Sequence, residues 1–386
     1  MRRLEERGVP RENMLFLNFF DDRLHGLGPA ELSLITEAYF TLHPEKKGSE
    51  ITHFFFDEIQ EVAGWEPFVD RLLRTEKCEV TLTGSSSAML SRDLASAMRG
   101  RVLSFELFPF SFGEFLDWKG IAAGHDMSTR TRLLVRKAFD DYWAAGGFPE
   151  LMGLSKGMRV RLHQEYLNAI LFRDIVERHD FAHPRALSAL AHWMLDNAGS
   201  LYSVNKLTDW LRGVGHKISK TDVSECMAWF DDAFFLFTVR LFDASFTRSN
   251  ANPKKAYCVD HALVSSTSSG ILANNGHLLE NLVFLALRRT FQDIFYYRTR
   301  SGKEVDFVVV EQDGSKRLIQ VCETIMDERT QTRELAGLEE AMSELDVDCG
   351  TLVTREEEGE RDLHGRIVGI VPAWKFLLEM EGRMRA

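Results

Sequence analysis

This sequence lacks the features that mark several large classes of protein. Its five cysteines lie far apart and form no CxxC pair, so neither a zinc knuckle nor a disulfide framework is indicated. No apolar run approaches the roughly 20 residues that a membrane-spanning helix needs. The opening residues, MRRLEERGVPRENM, carry charges where a signal peptide has an apolar segment. We therefore expect an unexported cytoplasmic protein without a membrane partner.

Positive charge is also scarce. The chain has 47 Lys and Arg against 58 Asp and Glu, a formal net charge of -11. That balance excludes a general affinity of the whole surface for polyanions, so any contact with nucleic acid must use a local basic face. The 386 residues have an ordinary globular composition, with 45% hydrophobic residues. This length and composition predict two or three compact domains, each with its own core.

The first third of the chain alternates apolar strand patterns with helical patterns. Such alternation predicts a parallel sheet with helices on both faces. In these sheets ligands bind at the carboxyl ends of the strands, where Asp57, Glu58 and the serines from Ser85 to Ser87 fall. The predicted strands are 13–19, 51–56, 78–84 and 102–107.

Two adjacent acids, Asp57 and Glu58, directly follow the apolar run ITHFFF. A strand that ends in this way can hold hydrated Mg²⁺ with one carboxylate and direct an attacking water with the other. The alternative is an acidic pair at a helix N-terminus, which the helix dipole stabilises. The serines of TGSSS can reach the same water or a γ-phosphate, or they can form a turn or an N-cap.

Three segments, FFFDEIQEVAGW, LTGSSSAMLSRDLASAMRGR and FELFPFSFGEFL, together resemble the AAA+ superfamily P-loop ATPases of a large prokaryotic family. The resemblance covers residues 10 to 118 and implies ATP and Mg²⁺ as cofactors. It implies that FFFDE is the Walker B segment. Asp57 would then be the metal ligand and Glu58 the catalytic acid.

The same resemblance implies roles for residues on the next segment. Ser85 or Ser86 would be the sensor on the neighbouring strand. Arg101 would reach a γ-phosphate, and Arg99 is the less favoured candidate for this role. In a homo-oligomer, the γ-phosphate would be one bound to a neighbouring subunit. A plain surface role for Arg101 stays open at this point.

The phosphate-binding loop of that family, GxxxxGK followed by Ser or Thr, does not occur in these 386 residues. Without its backbone amides and its lysine, nothing cradles the β- and γ-phosphates. We expect ATP hydrolysis of the complete family member and impaired or absent hydrolysis by this chain. We rank three interpretations of this absence in the following order: a mis-assigned start, a truncated gene, and a stable form that binds no nucleotide.

Residues 186 to 265 carry three helical patterns and then an apolar strand pair, which is the order of a winged helix. If this region binds DNA, its third helix enters the major groove with Lys217, Lys220 and Thr221 at the leading end. Neighbouring acids dilute that basic face. A DNA partner and a protein partner both stay open.

The last region resembles the PD-(D/E)xK nuclease fold, in which an acid on a helix, an aspartate on one strand and an E-x-K on the next bind a divalent metal. Glu280 and Asp306 match the first two positions. Gln320 and Cys322 stand where glutamate and lysine are required. We therefore expect a nuclease-like fold without nuclease activity.

The sequence as a whole predicts an α/β protein related to AAA+ ATPases, whose P-loop core lacks its first strand and its phosphate loop. The alternative is a non-catalytic DNA- or protein-binding protein that acts through the winged helix and the C-terminal module. An active nuclease is a weaker third hypothesis. The predicted parts are an AAA+ core at 1–118, a helical lid or linker at 119–185, a winged helix at 186–265 and a nuclease-like domain at 266–386.

Overall fold

The structure, a computed structural model, divides the chain into two compact units. The N-terminal unit is Met1–Glu106 and the C-terminal unit is Leu107–Ala386. The finer domain boundaries predicted within the second unit stay predictions. The structure describes residues 1–24, 26–84, 101–124, 127–251, 253–268 and 275–385.

The N-terminal unit is built on a parallel sheet with strand order β1-β2-β3. The middle strand is the near-continuous apolar run that the sequence indicated, and Phe54 and Phe56 are buried in it. An amphipathic helix packs Phe68, Val69 and Leu72 into the same core. The elements are β1 (Met14–Asn18), β2 (Thr52–Asp57), β3 (Cys78–Leu82), α1 (Arg2–Glu5), α2 (Leu32–Leu42) and α3 (Glu66–Thr75).

One predicted strand is wrong. Residues 102–107 form no strand, and Leu103, Phe105 and Leu107 are 85%, 85% and 100% exposed. The physical reason is that a strand needs a neighbour for its backbone N–H and C=O groups. This segment crosses the division between the two units, and no strand of the described residues pairs with it.

The C-terminal unit combines helices with an eight-stranded mixed sheet of order β10-β11-β9-β8-β7-β6-β4-β5. Its strands are β4 (Leu236–Leu241), β5 (Lys255–Cys258), β6 (Ile294–Arg298), β7 (Glu304–Val310), β8 (Lys316–Cys322), β9 (Cys349–Thr354), β10 (Gly359–Leu363) and β11 (Arg366–Pro372). Its helices are α4 (Phe112–Trp118), α5 (Thr129–Ala145), α6 (Lys156–Ala169), α7 (Pro184–Asp196), α8 (Val204–Gly213), α9 (Lys220–Asp232), α10 (Phe246–Ala251), α11 (His261–Thr267), α12 (Asn275–Thr290), α13 (Glu328–Leu345) and α14 (Ala373–Arg385). A π-helical segment, Ile170–Glu177, follows α6, and short 3-10 turns lie at Arg11–Asn13, Asp22–Leu24, Pro44–Lys46, Ile59–Glu61 and Pro149–Leu151.

The region predicted as a winged helix contains α7, α8 and α9, followed by the antiparallel pair β4 and β5. Ser203 caps α8 by accepting from the Lys206 backbone N–H, and Ser219 caps α9 in a reciprocal capping box with Asp222. However, β4 also pairs in parallel with β6, so the strand pair forms the edge of the large sheet. The winged-helix interpretation therefore stays a prediction.

A buried aspartate, Asp260, connects the GGFP segment to the start of α11. One of its carboxylate oxygens accepts from the backbone N–H groups of Ala262 and Leu263, at 2.7 and 3.0 Å. The other accepts from the Gly147 backbone N–H at 2.6 Å. Gly146 has φ +77°, and a Cβ there would lie 2.4 Å from the same carboxylate, so this approach requires glycine.

All five cysteines are free thiols. Among the helices in the described part of the chain, none is long and apolar enough to cross a bilayer.

Candidate functional site

The first candidate site lies at the carboxyl edge of the N-terminal sheet. Asp57 is the last residue of β2, and Thr83 follows the end of the neighbouring β3. The Thr83 hydroxyl donates to Asp57 Oδ1, and the Thr83 backbone N–H donates to the Phe56 carbonyl oxygen at 3.0 Å. These bonds hold a carboxylate and a hydroxyl side by side where two parallel strands end, the edge at which such sheets bind ligands.

Glu58 turns the chain sharply out of the sheet. Its φ is +54°, a left-handed conformation that glutamate rarely adopts. Two bonds hold it: its backbone N–H donates to Thr83 Oγ1 at 3.3 Å, and the Gln60 side-chain amide donates to its carboxylate. A residue held in this region costs about 1–3 kcal/mol and persists where the surroundings fix it, commonly at functional sites.

Of the other residues predicted for this site, the structure describes only Arg101. Ser85 and Ser86, the predicted sensors, lie outside the described residues, as does Arg99. Arg101 is described, is exposed and belongs to no helix or strand. The structure therefore brings Asp57 and Glu58 together with Thr83, a residue that sequence reasoning missed.

The signal for Thr83 was present in LTGSSS. The predicted strand ran to Gly84, whereas β3 ends at Leu82. Because Thr83 was predicted to lie inside the strand, it was not considered as a strand-end residue whose hydroxyl could contact a ligand.

The acids at this edge fit one half of a nucleotide site. Mg²⁺ takes one or two carboxylates together with water and phosphate oxygens, and this edge carries two carboxylates, those of Asp57 and Glu58. The phosphates themselves require successive backbone amides and a lysine. The described residues of the N-terminal unit form no such loop, since no GxxxxGK[ST] segment occurs in the 386 residues.

The predicted nucleic-acid residues lie together at the start of α9. Lys217, Lys220 and Thr221 are all exposed. The carboxylate of Asp222 lies among them, where it accepts from the Ser219 backbone N–H at 2.9 Å. That bond and the Ser219 hydroxyl lower the pKa of Asp222, so the leading end of the helix carries a negative charge beside its basic side chains.

The second candidate site is in the C-terminal unit, where Glu280 on α12 and Asp306 on β7 lie close together. The ammonium group of Lys255, on β5, lies between them. Its Nζ is 2.8 Å from Glu280 Oε1, 2.9 Å from Asp306 Oδ1 and 2.7 Å from Glu304 Oε1. Lys255 is only 2% exposed. We refer to Lys255, Glu280, Glu304 and Asp306 as the lysine–acid cluster.

Further hydrogen bonds fix the carboxylates of the lysine–acid cluster. The Tyr257 hydroxyl donates to Glu280 Oε1 at 2.6 Å. The Val321 backbone N–H donates to Asp306 Oδ2 at 3.0 Å. Buried ionic groups are stable only when their remaining hydrogen-bonding positions are also satisfied, and here neighbouring strands satisfy them.

Gln320 and Cys322, the two positions that depart from the nuclease pattern, make other bonds. Gln320 accepts from the Asp306 backbone N–H at 3.1 Å and donates to Glu334 Oε2 at 2.7 Å. The Cys322 thiol donates to the Thr324 carbonyl oxygen at 3.0 Å. Gln320 thus supports the strand that carries Asp306, and it contributes no charge to the cluster.

The charges of the cluster depend on one another. Burial works against the charge of Glu280, but Lys255 and the His277 and Tyr257 hydrogen bonds outweigh it and lower its pKa to about 2. Burial and the negative charge of Glu280 raise the pKa of Asp306 to about 7. Burial also opposes the charge of Lys255, yet the carboxylates raise its pKa well above the ordinary value. The ammonium is therefore charged at neutral pH.

Sequence reasoning missed Lys255 because its partners are distant along the chain. Glu280 and Asp306 are 25 and 51 residues away. The sequence predicted only an apolar strand pair in this region. Across the described ranges, no three His, Cys, Asp or Glu side chains are grouped so as to hold a metal ion.

Comparison with known proteins finds three families whose models match successive parts of the chain. Residues 1–116 match a family described as an AAA domain, residues 136–272 a domain of unknown function (DUF8612), and residues 275–376 a domain of unknown function (DUF4143). The uncharacterized protein MJ1544 of Methanocaldococcus jannaschii is 31% identical over 379 residues, which cover 95% of this chain and 82% of that protein. The chain belongs to this AAA-type ATPase-like family.

A second relative in the AAA-type ATPase-like family comes from Haemophilus influenzae. This uncharacterized protein is 28% identical over 315 residues, which cover 80% of this chain and 74% of the relative. The AAA domain match includes the sheet edge that carries Asp57, Glu58 and Thr83. The DUF4143 match includes Glu280 and Asp306, while Lys255 falls within the preceding match.

Proposed function

We propose that Asp57 and Glu58 are the Walker B acids of this AAA-family ATPase-related protein. Asp57 would hold Mg²⁺, which supplies charge neutralisation to phosphate oxygens when bound. Glu58 would accept a hydrogen bond from the attacking water and orient it. The observation that carries the proposal is the Thr83 hydroxyl bound to Asp57 across the ends of two adjacent parallel strands.

The local conformation supports different roles for the two acids. Asp57 ends a strand and is positioned by Thr83, whereas Glu58 is turned out of the sheet with its carboxylate on the Gln60 amide. A water-directing acid must be free to exchange such a partner for water. The partner of the Glu58 carboxylate is the Gln60 side-chain amide, and a water molecule can replace that bond at little enthalpic cost.

The proposal includes a limit on activity. The 386-residue sequence contains no GxxxxGK[ST] segment to cradle the phosphates of ATP, so we propose that these residues alone turn over no ATP. This is tested by phosphate release in saturating Mg-ATP for the 386-residue chain, Glu58→Gln and the nearby control Glu61→Gln. All three are expected to give the same background rate. Turnover abolished by Glu58→Gln but not by Glu61→Gln would contradict this limit.

The proposed role of Asp57 as a metal ligand can be tested by a separate measurement. Mn²⁺ binding, followed by electron paramagnetic resonance, should be weaker in Asp57→Asn than in Asp70→Asn, a control carboxylate on α3 of the same unit. Equal Mn²⁺ binding by the two variants would contradict the assignment of Asp57.

A binding role of the C-terminal unit is the second candidate. An open cleft lined by Arg212, His216 and Lys217 lies directly before α9, next to the exposed Lys220 and Thr221. If this face binds DNA, the full chain should bind a duplex at low salt, and Lys217→Glu with Lys220→Glu should abolish binding. No duplex binding at low salt would remove the DNA version and leave a protein partner.

A further inference from the structure

We propose that Lys255 is a built-in cation that occupies the position a divalent metal would take in the lysine–acid cluster. In this proposal the ammonium closes the cluster to metal ions and makes it a structural joint between β5, β7 and α12. The C-terminal unit would then keep the acids of a metal site without a metal requirement.

The first argument is the match between donors and acceptors. A lysine ammonium has three N–H donors. Three carboxylates, from Glu280, Glu304 and Asp306, each place one oxygen within 2.7–2.9 Å of its nitrogen. Charge-assisted N–H···O bonds have this length, whereas Ca²⁺ and Mg²⁺ bind oxygen at about 2.0–2.6 Å. The spacing of the carboxylates therefore fits an ammonium group.

The second argument is that the lysine cannot leave the cluster by a side-chain rotation into solvent. Lys255 is 2% exposed and belongs to β5, where it pairs with Val239 of β4. Glu280 and Asp306 are also buried, at 6% and 7% exposure. Only Glu304 lies partly at the surface, with 32% of its side chain exposed.

The third argument is the balance of charge. One ammonium faces three carboxylates. Among the described residues, two further titratable side chains face them: the Tyr257 hydroxyl donates to Glu280 Oε1 at 2.6 Å, and His277 Nδ1 is 3.6 Å from Glu280 Oε2. Both oxygens of Asp306 already accept hydrogen bonds, Oδ1 from the Lys255 ammonium at 2.9 Å and Oδ2 from the Val321 backbone N–H at 3.0 Å. A divalent ion at the position of the ammonium would therefore have to displace Lys255 from all three carboxylates.

The experiment compares divalent-cation binding by the full wild-type chain, Lys255→Ala and Lys254→Ala. Lys254 is the matched control, because it is the adjacent lysine and successive side chains of an extended chain point to opposite faces of a sheet. Mn²⁺ binding is measured by titration and by the Mn²⁺-dependent shift of the melting temperature. The proposed Asp57 site is present in all three proteins. We therefore expect Lys255→Ala to bind one Mn²⁺ more than wild type, with an affinity of the lysine–acid cluster raised about a hundredfold or more, since a positive charge within hydrogen-bond distance is removed.

Several results would overturn the proposal. One is Mn²⁺ binding by wild type that Asp306→Asn abolishes. Another is a folded Lys255→Ala variant with no gain in Mn²⁺ affinity. A third is metal-dependent cleavage of DNA by the wild-type chain that Asp306→Asn removes, because the cluster would then be a working metal site.

A measurement on the wild-type chain keeps the test decisive if Lys255→Ala does not fold. Nuclear magnetic resonance of ¹⁵N-lysine-labelled protein should show one ammonium group whose hydrogens exchange slowly with water, and Asp306→Asn should shift its signal. If every lysine ammonium exchanges at the rate of a solvent-exposed side chain, the proposal fails.

Discussion

Replacing Lys255 by methionine is expected to lower the free energy of unfolding of the C-terminal unit by about 3–5 kcal/mol. Methionine has a similar length and keeps most of the packing, so the loss reports the missing charge. Two buried carboxylates, Glu280 and Asp306, would lose their counter-ion in a low-dielectric environment. Removing one partner of a buried ionic group costs more than the group contributes, because the other charges stay behind.

The measurement is chemical unfolding followed by tryptophan fluorescence. Six of the seven tryptophans, all except Trp65, lie after residue 106, so this signal reports mainly on the C-terminal unit. Lys254→Met is the control and should cost much less. A loss equal to that of the control would show that the cluster has no stabilising role.

The deficit of Lys255→Met should also depend on pH. Without the ammonium, the carboxylates of the folded variant have raised pKa values, and a raised acid contributes stability that is lost as pH rises through its folded pKa. In wild type the pKa of Asp306 is already about 7. The deficit is therefore expected to be larger at pH 8 than at pH 5.5. Removing one carboxylate as well, in Lys255→Met with Asp306→Leu, should recover part of the loss.

Replacing Asp260 by alanine is expected to lower the same free energy of unfolding by about 2–4 kcal/mol. Its carboxylate caps α11, and such caps contribute about 0.5–2 kcal/mol. It also satisfies the Gly147 backbone N–H, and a buried donor without a partner costs about 1–3 kcal/mol. Both contributions disappear together because one residue, 2% exposed, supplies both oxygens.

Two variants make the Asp260 prediction specific. Asp260→Asn keeps one acceptor oxygen and should cost less than Asp260→Ala. Asp327→Ala removes the N-cap of α13, whose bond to the Thr330 backbone N–H is exposed, and should cost less again. Equal losses for Asp260→Ala and Asp327→Ala would mean that the bond to Gly147 contributes nothing.

Local sequence pattern was sufficient for the strands of the N-terminal unit. The apolar runs predicted at 13–19, 51–56 and 78–84 correspond to β1, β2 and β3 within two residues at each end. It failed for 102–107, which has the same apolar character. What differs is the neighbour: β2 has a strand on each side, and 102–107 pairs with none of the described strands.

The candidate sites show the same difference between what local sequence predicts and what depends on tertiary contacts. Asp57 and Glu58 were predictable because they follow a strand directly, and a strand end in a parallel sheet has a known orientation toward ligands. The left-handed turn at Glu58 was not predictable, since the bonds that hold it come from Thr83 and Gln60. The acids Glu280 and Asp306 were found by their resemblance to a nuclease pattern.

The sequence by itself determined the alternation of strands and helices, the two acids at the end of β2, and the departure of Gln320 and Cys322 from a metal-binding pattern. Each of these depends on residues that are adjacent or near in the chain. Only the tertiary structure decided what fills the second acid cluster. Lys255 meets Asp306 across 51 residues of sequence, and no local pattern encodes a contact between the edge strand β5 and β7. Burial then keeps the ammonium in place, because moving it away would leave three carboxylates without a counter-ion.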